Sequence, residues 1–511
     1  VLLLRNKMEF RALGSRCPHY GAPLSKGVLR RERLRCPWHG ACFSIHTGDI
    51  EEYPSLDCLP CFKVTVEDGK VFVTAKKKVL TLPGVTEHKQ HLGRCLLNQD
   101  IVLLLGGGVA ALVCAETLRQ EGFTGRIIMV TKEKHVPYDK SKLSKAMNLK
   151  AEDIYLRKPE LLHAQDIEFW TEKEAVSVDF QKQKVHFMDG SSQKYHQLLI
   201  AAGSHPNFLK VPGADLQNVC FLYTPEDSRK ILELATGRNL VIIGASFIEQ
   251  GQVSWLYAPA GDTQESSQQP GAAALPAQVL PECGFFHSSA GWNLLVNAQT
   301  SFLFLLQMLQ NKRVKFYMKT ELRELQGKDG KVTEAVLACG EKLPADVVVV
   351  GIGVSPSSAF LDGTSMARDE HGAILVDLHM QTNIPNVFAA GDVVSFPVAL
   401  LSGDRSSIHH QQVAEAHGHI AALNMLKRGK ELHTVPFFWT TMLGKTIRYA
   451  GCGKGYTDTV VKGSLEQQKF LIFYIKDGIV TAAASLDCDP MVSLIAEVLY
   501  LGKQITKEEA E

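Results

Sequence analysis

The chain lacks a surplus of charge of either sign: 55 Lys and Arg stand against 54 Asp and Glu in 511 residues. Binding to phosphate backbones needs a basic excess, so nucleic acid is not expected as a partner. No secretory segment precedes the twelve cysteines, so an extracellular disulfide scaffold is set aside, and metal or redox use of thiols moves forward. No repeat of solenoid period is visible. Basic residues are missing altogether between Asn239 and Asn311, where the density elsewhere in the chain implies about nine. Inside that gap Cys283 to Gln310 has no charged residue at all, yet Asn293, Asn297, Gln299 and Gln307 interrupt it and no basic flank precedes it. A transmembrane segment is therefore not predicted; a buried helix or a misplaced segment is.

What is present suggests several folded domains, since 45% of residues are hydrophobic and 21% charged. Residues 1–80 contain turn residues and short β-type runs, with Phe62 to Val66 and Lys70 to Val73 forming a hairpin across Asp68-Gly69. A linker is expected around Lys76 to Gln99. Ile101 to Leu105 then reads as a strand, followed by glycines and a helix from Ala110 to Gln120. Asn239 to Ile243, Asp346 to Val350 and Asn386 to Asp392 supply further parallel strands. From about Val435, strands at Phe470 to Ile475 and Ile479 to Ala484 join a helix from Pro490 to Tyr500. The expected divisions are 1–80, 98–230, 231–349, 350–430 and 431–511.

Two short loops carry the strongest chemical pattern: Cys17-Pro18-His19, and sixteen residues later Cys36-Pro37-Trp38-His39. Two thiolates and two imidazoles could hold tetrahedral zinc. Each loop here supplies one residue of each kind, which instead suits a two-iron cluster with Cys17 and Cys36 on one iron and His19 and His39 on the other. Gly21 and Gly40 follow where the backbone must turn tightly. The strings Cys-Pro-His-Tyr-Gly-Ala-Pro-Leu and Cys-Pro-Trp-His-Gly-Ala-Cys-Phe resemble the Rieske family. That resemblance implies a 2Fe-2S cluster of the soluble, ferredoxin-like type, because Ala22 and Trp38 stand where the cytochrome bc type has disulfide cysteines. A potential at the low end of the Rieske range follows. Cys42, Cys58 and Cys61 are read as buried small hydrophobes.

Leu103 to Ala111 fits the G-x-G-x-x-G/A dinucleotide fingerprint between strand and helix. Gly106 makes the turn, Gly108 lets the backbone reach a pyrophosphate, and Ala111 permits close helix packing. A second strand at Arg126 to Val130 leads to Glu133, placed for a ribose. Thr382 to Asp392 resembles the second FAD motif of two-dinucleotide-domain flavoproteins, and Leu199 to Ser204 the connecting strand. Taken together, Cys17 to about Pro490 resembles the apoptosis-inducing factor-like branch of the pyridine-nucleotide oxidoreductases, in which a Rieske domain is fused to a ferredoxin-reductase-like flavoprotein. The fold this implies is multidomain: a small all-β Rieske domain, an α/β two-dinucleotide-binding-domain flavoprotein and a C-terminal α+β domain. The resemblance further implies that Asp392 contacts the ribityl and pyrophosphate region, that Lys145 in Pro137 to Lys145 lies by the isoalloxazine, and that Trp439 in Pro436 to Trp439 covers it. No C-x-x-x-x-C pair follows the first glycine turn, so a glutathione-reductase type of mechanism is not expected.

The pattern breaks at the second fingerprint. Gly244 holds the first glycine position, but Ser246 takes the second and Glu249 the third, where a long anion would crowd the helix and repel pyrophosphate. Beyond it the expected helix, second strand and terminal acid are not found, and residues 250–307 read as foreign to the family, either a variant exon or a gene-model error. The start at Val1, sixteen residues before Cys17, reads as a truncated Rieske domain. The leading expectation is an enzyme that passes electrons from NAD(P)H through FAD to the cluster and on to an unknown acceptor protein. Alternatives are a non-catalytic flavoprotein with a signalling role, and the reductase component of an oxygenase. The resemblance links the chain with apoptosis and with an intracellular location, mitochondrion or cytoplasm.

Overall fold

The computed structural model describes residues 1–75, 93–244, 283–286, 315–317, 320–442 and 444–511, with the backbone alone at 283–286. The N-terminal domain runs through β1 (Leu2–Asn6), β2 (Glu9–Leu13), β3 (Val28–Arg30), β4 (Arg33–Arg35), β5 (Cys42–Ser44), β6 (Ile50–Glu52), β7 (Cys61–Glu67) and β8 (Lys70–Thr74). These make two antiparallel sheets, ordered β1-β2-β7-β8 and β3-β4-β5-β6. The expected hairpin is present, and Asp68 and Gly69 both take positive φ, as its tight turn requires. Leu13, Leu24, Leu34, Phe43, Ile45 and Leu59 form a small core that also takes in Cys17 and Cys36. Such a core is marginal alone, so packing against the rest of the chain matters.

The flavoprotein part continues with β9 (Ile101–Leu105), α1 (Val109–Gln120), β10 (Arg126–Val130), β11 (Ile167–Trp170), β12 (Gln197–Ile200), β13 (Val219–Phe221), α2 (Pro225–Ala235), β14 (Leu240–Ile243), β15 (Cys283–Phe286), β16 (Lys315–Tyr317), β17 (Val347–Val350), β18 (Val387–Ala389) and α3 (Gln411–Met425). Two five-stranded parallel sheets result, ordered β11-β10-β9-β12-β18 and β13-β17-β14-β15-β16. Their central strands are continuous apolar runs, as strands covered on both faces must be; all four valines of β17 are buried. These strands stop inside the expected bounds, at one end where a polar side chain takes a backbone N–H and at another where the backbone turns. The Asn239 N–H is taken by the Asp346 carboxylate at 2.9 Å. After Ala389, Gly391 turns to φ 79° and Gly391–Val393 forms a 3-10 turn instead of more strand.

The C-terminal domain has β19 (Phe437–Met442), β20 (Lys445–Gly451), β21 (Asp458–Ser464), β22 (Lys469–Lys476) and β23 (Ile479–Leu486) in an antiparallel sheet ordered β19-β20-β23-β22-β21, with α4 (Met491–Tyr500) packed on it. Among the described residues no helix is long and apolar enough to cross a membrane. Residues 76–92 of the expected linker, Ser246, Glu249 and most of 250–307 lie outside the described residues. One expectation there is corrected: a second strand does occur, since Cys283–Phe286 lies between β14 and β16 in parallel register. Its Cys-Gly-Phe-Phe run is too short to stand out inside an uncharged stretch.

Candidate functional site

The two Cys/His loops are built alike. The Cys17 N–H donates to the Ala22 carbonyl at 2.9 Å and the Cys36 N–H to Ala41 at 2.7 Å, each closing a six-residue loop. Gly21 and Gly40 turn at φ 75° and 77° in the same place. Each closure aims backbone donors at sulfur: His19 and Tyr20 N–H groups at Cys17, Trp38 and His39 N–H groups at Cys36. Cys17 also donates to Cys36; that bond and burial raise the Cys17 thiol, while Cys36 is held below its ordinary value despite burial.

The imidazoles meet on the other side. His19 and His39 face each other through Nδ1 atoms 3.2 Å apart, which fits two nitrogens on one metal at roughly 2.1 Å each. Burial pushes His19 down to about 3 and lowers His39 as well, so both rings are neutral and offer lone pairs. No three His, Cys, Asp or Glu side chains among the described residues converge on a single ion. A sulfur pair beside a nitrogen pair fits a two-iron cluster better than one zinc. Cys42 is wholly buried as expected, whereas Cys58, in the segment before β7, and Cys61, the first residue of β7 at the margin of the small core, are only partly so.

The histidine edge is pressed into the flavoprotein. The His39 ring stacks on Trp439, with centroids 4.3 Å apart and planes at 22°, and His19 meets the same indole edge-on at 5.4 Å. Trp439 is 7% exposed. His410 packs edge-on against it at 5.2 Å. Half-buried Lys145, ending the short helix Lys142–Lys145, is close enough for its charge to act on both His39 and His410. The structure thus brings Lys145 and Trp439 together with the cluster loops. A Cβ on Gly40 would sit 2.5 Å from the Phe437 ring, so only glycine allows this approach.

The nucleotide turn has the geometry its glycines imply. Gly106 takes φ 143°, with the Ala201 carbonyl 2.0 Å from where a Cβ would stand, while the space beside Gly108 is open. Gly108 caps α1, whose first turn carries no acid and no side-chain cap, leaving its N–H groups for an anion. Ala111 is fully buried in the helix contact. Glu133, just beyond β10, accepts from Tyr138 Oη at 2.7 Å and lies 3.6 Å from Lys140 Nζ. Asp392 accepts from Ser204 Oγ at 3.1 Å, and the neighbouring Gly391 packs on Ala110 at the helix start. Gly391 N–H donates to His417 Nδ1 at 3.3 Å, which puts the imidazole proton on Nε2, a buried atom with no partner among the described residues. An open helix start beside an unused buried donor fits an extended dinucleotide.

Gly244 sits at φ 118°, with the Gly351 carbonyl 2.1 Å from its absent Cβ, the counterpart of the Gly106–Ala201 approach. Sequence reasoning missed His410 at the start of α3, Glu415, His417 and Gly418 on α3, and Arg448 on β20. The signal on α3 was a glycine and alanines inside a helix, Ala414, Gly418, Ala421 and Ala422, which together mark a close crossing.

Residues 100–249 and 297–418 match the family described as pyridine nucleotide-disulphide oxidoreductase, residues 1–63 the Rieske [2Fe-2S] domain, and residues 437–511 the reductase C-terminal family. Apoptosis-inducing factor 3 of Homo sapiens is 44% identical over 100% of this chain and 82% of its own length. The biphenyl dioxygenase system ferredoxin-NAD(+) reductase component of Paraburkholderia xenovorans (strain LB400) is 26% identical, over 81% and 96%. A crystal structure of a ferredoxin reductase from Rhodopseudomonas palustris shares the fold with TM-score 0.71 at 24% identity, covering 81% of this chain and 97% of its own.

Proposed function

The chain belongs to the pyridine nucleotide-disulphide oxidoreductase family, and on that premise we propose that it passes electrons from NAD(P)H through FAD to its own Rieske cluster and then to an acceptor protein. When bound, FAD would supply a carrier able to accept two electrons together and to give them up singly. Cys17, His19, Cys36 and His39 hold the two irons. The open turn at Gly106 and Gly108 and the α1 N-terminus bind the FAD pyrophosphate, Ala111 keeps the helix close to the sheet, Glu133 holds a ribose, and Asp392 the ribityl region. Lys145 places a positive charge beside the ring system that Trp439 covers. Gly244 shapes the NAD(P) turn.

The observation that carries this reading is the Trp439–His39 stack, which joins a predicted flavin-covering indole to a predicted iron ligand without intervening solvent. Ferredoxin-NAD(+) reductases by name serve a separate iron-sulfur protein; here an iron-sulfur domain is part of the same chain, packed on the reductase. We infer that the location is intracellular, mitochondrion or cytoplasm, with a link to apoptosis, from the apoptosis-inducing factor relatives.

Anaerobic addition of NADH or NADPH to the purified holoprotein tests the route. Bleaching of both flavin and cluster absorption is expected. FAD that stays oxidised would support the reading of a non-catalytic flavoprotein, and flavin bleaching without cluster reduction would point to a reductase for a separate oxygenase system.

A further inference from the structure

The C-terminal sheet reaches the second cluster loop with two side chains from one rung. Trp439 on β19 and Arg448 on β20 are directly opposed partners, so both project from the same face. Trp439 takes the His39 ring, and Arg448 Nε donates to the Trp38 carbonyl at 2.8 Å, across 410 positions of sequence. The Arg448 side chain is 9% exposed and pairs at 3.0 Å with Asp489, which is 32% exposed. The cation is therefore buried beside the loop while its counter-ion sits toward solvent. The Trp38 carbonyl that it holds lies between Cys36 and His39, one ligand of each kind.

A reduced cluster carries one more negative charge than an oxidised one. A cation fixed in a dry site favours the reduced form, as do hydrogen bonds that draw electron density from the ligand loop. We propose that Arg448 is a positioning residue, supplied by the C-terminal domain, that raises the reduction potential of the Rieske cluster. The inference rests on the flavin-to-cluster route above, which it makes more favourable. It also bears on the low potential expected from the missing disulfide: the docked loop gains a cation from outside its own domain.

The test is a mediated redox titration of the full-length holoprotein, following the cluster by electron paramagnetic resonance. Arg448→Gln should disfavour cluster reduction about tenfold, which is about 59 mV for a one-electron couple. Arg448→Lys should retain most of the wild-type potential, and Asp489→Asn, which removes the negative charge paired with Arg448 at 3.0 Å, should shift the potential upward. Opposite shifts for Arg448→Gln and Asp489→Asn support the proposal. Equal potentials, or shifts in one direction, overturn it. Should Arg448→Gln lose its cluster, the sign of the Asp489→Asn shift decides alone. A wild type with a normal cluster signal that NADH and NADPH cannot reduce would refute the route instead, since the mediated titration does not use it.

Discussion

Buried side chains in the site hold unusual protonation states, and Glu415 is the clearest case. It is 1% exposed, and Oε1 accepts from Gln411 at 2.9 Å. Burial pushes its carboxyl from the usual 4.5 up to about 8; the Gln411 bond and Arg157 pull it back, and Asp139 adds to the rise. Below about pH 4.5 the acid is protonated folded or unfolded, and between there and about 8 only the unfolded chain ionises. Its contribution to stability is thus present at low pH and lost as pH rises toward 8, at about 1.4 kcal/mol per unit of separation. Replacing Glu415 with Gln should flatten that decline, seen as a smaller fall in Tm between pH 5 and pH 8; an unchanged fall would show that the carboxyl ionises freely. At the loops, Cys36→Ser should abolish the cluster spectrum while FAD absorption remains, because the sulfur pair lies in a domain separate from the nucleotide turn. The ligands were legible in sequence since each lies within a few residues of the glycine that shapes its loop. Glu415, His410 and His417 were not, because their environment comes from elements far apart in the chain.

Elements were legible where one physical signal dominates. Purely apolar runs such as Ile101–Leu105 and Val347–Val350 became central parallel strands, and the glycine turn before α1 announced the helix that follows it. The crossing of α1 and α3 was invisible, since a small residue in a helix says that something approaches but not what. In the fold, Gly418 of α3 has the Ala110 carbonyl of α1 only 2.2 Å from the site of a Cβ. One methyl group there must drive the helices apart. Gly418→Ala is expected to cost about 1–3 kcal/mol and, by shifting the α1 N-terminus, to weaken FAD retention. Thermal melting together with the flavin-to-protein absorbance ratio checks both; a variant with normal flavin content would show that α1 does not move.

For the molecule as a whole, the question is what keeps a small iron-sulfur domain seated on a reductase. Two loop carbonyls and two side chains of β4 are held from α4 and β20: Ser493 Oγ donates to the Cys36 carbonyl at 2.9 Å, Arg448 to the Trp38 carbonyl, and Glu497 accepts from both Arg33 and Arg35 at 2.9 Å. Glu52 completes a buried four-residue ion network with those arginines. Arg35 also donates to the Gly40 carbonyl at 2.8 Å, so the network reaches the second ligand loop. None of this is readable from sequence, where arginines at 33 and 35 look like the solvated face of a strand.

A buried ion network adds little net stability over an apolar replacement, but removing one member strands the others. Glu497→Ala leaves Arg35, 1% exposed, with Glu52 as its remaining carboxylate, which it must share with Arg33, while Arg33 also keeps Glu51 at 2.6 Å, at an expected cost of about 3–5 kcal/mol. That cost falls on the contact between domains. The N-terminal domain, with its small core, should therefore separate from the rest as an earlier transition in calorimetry, and its β3–β6 amides should exchange faster with deuterium. Glu9→Ala is the control: its pair with Arg11 is at the surface, 65% and 40% exposed, and a surface pair contributes about 0–1 kcal/mol. Equal behaviour of the two variants would mean that the remaining contacts, among them those of Ser493, Arg448, Trp439 and Phe437, suffice to hold the domain. An earlier transition confined to Glu497→Ala, with slower reduction of the cluster by NADH or NADPH, would tie the seating of the domain to the electron route.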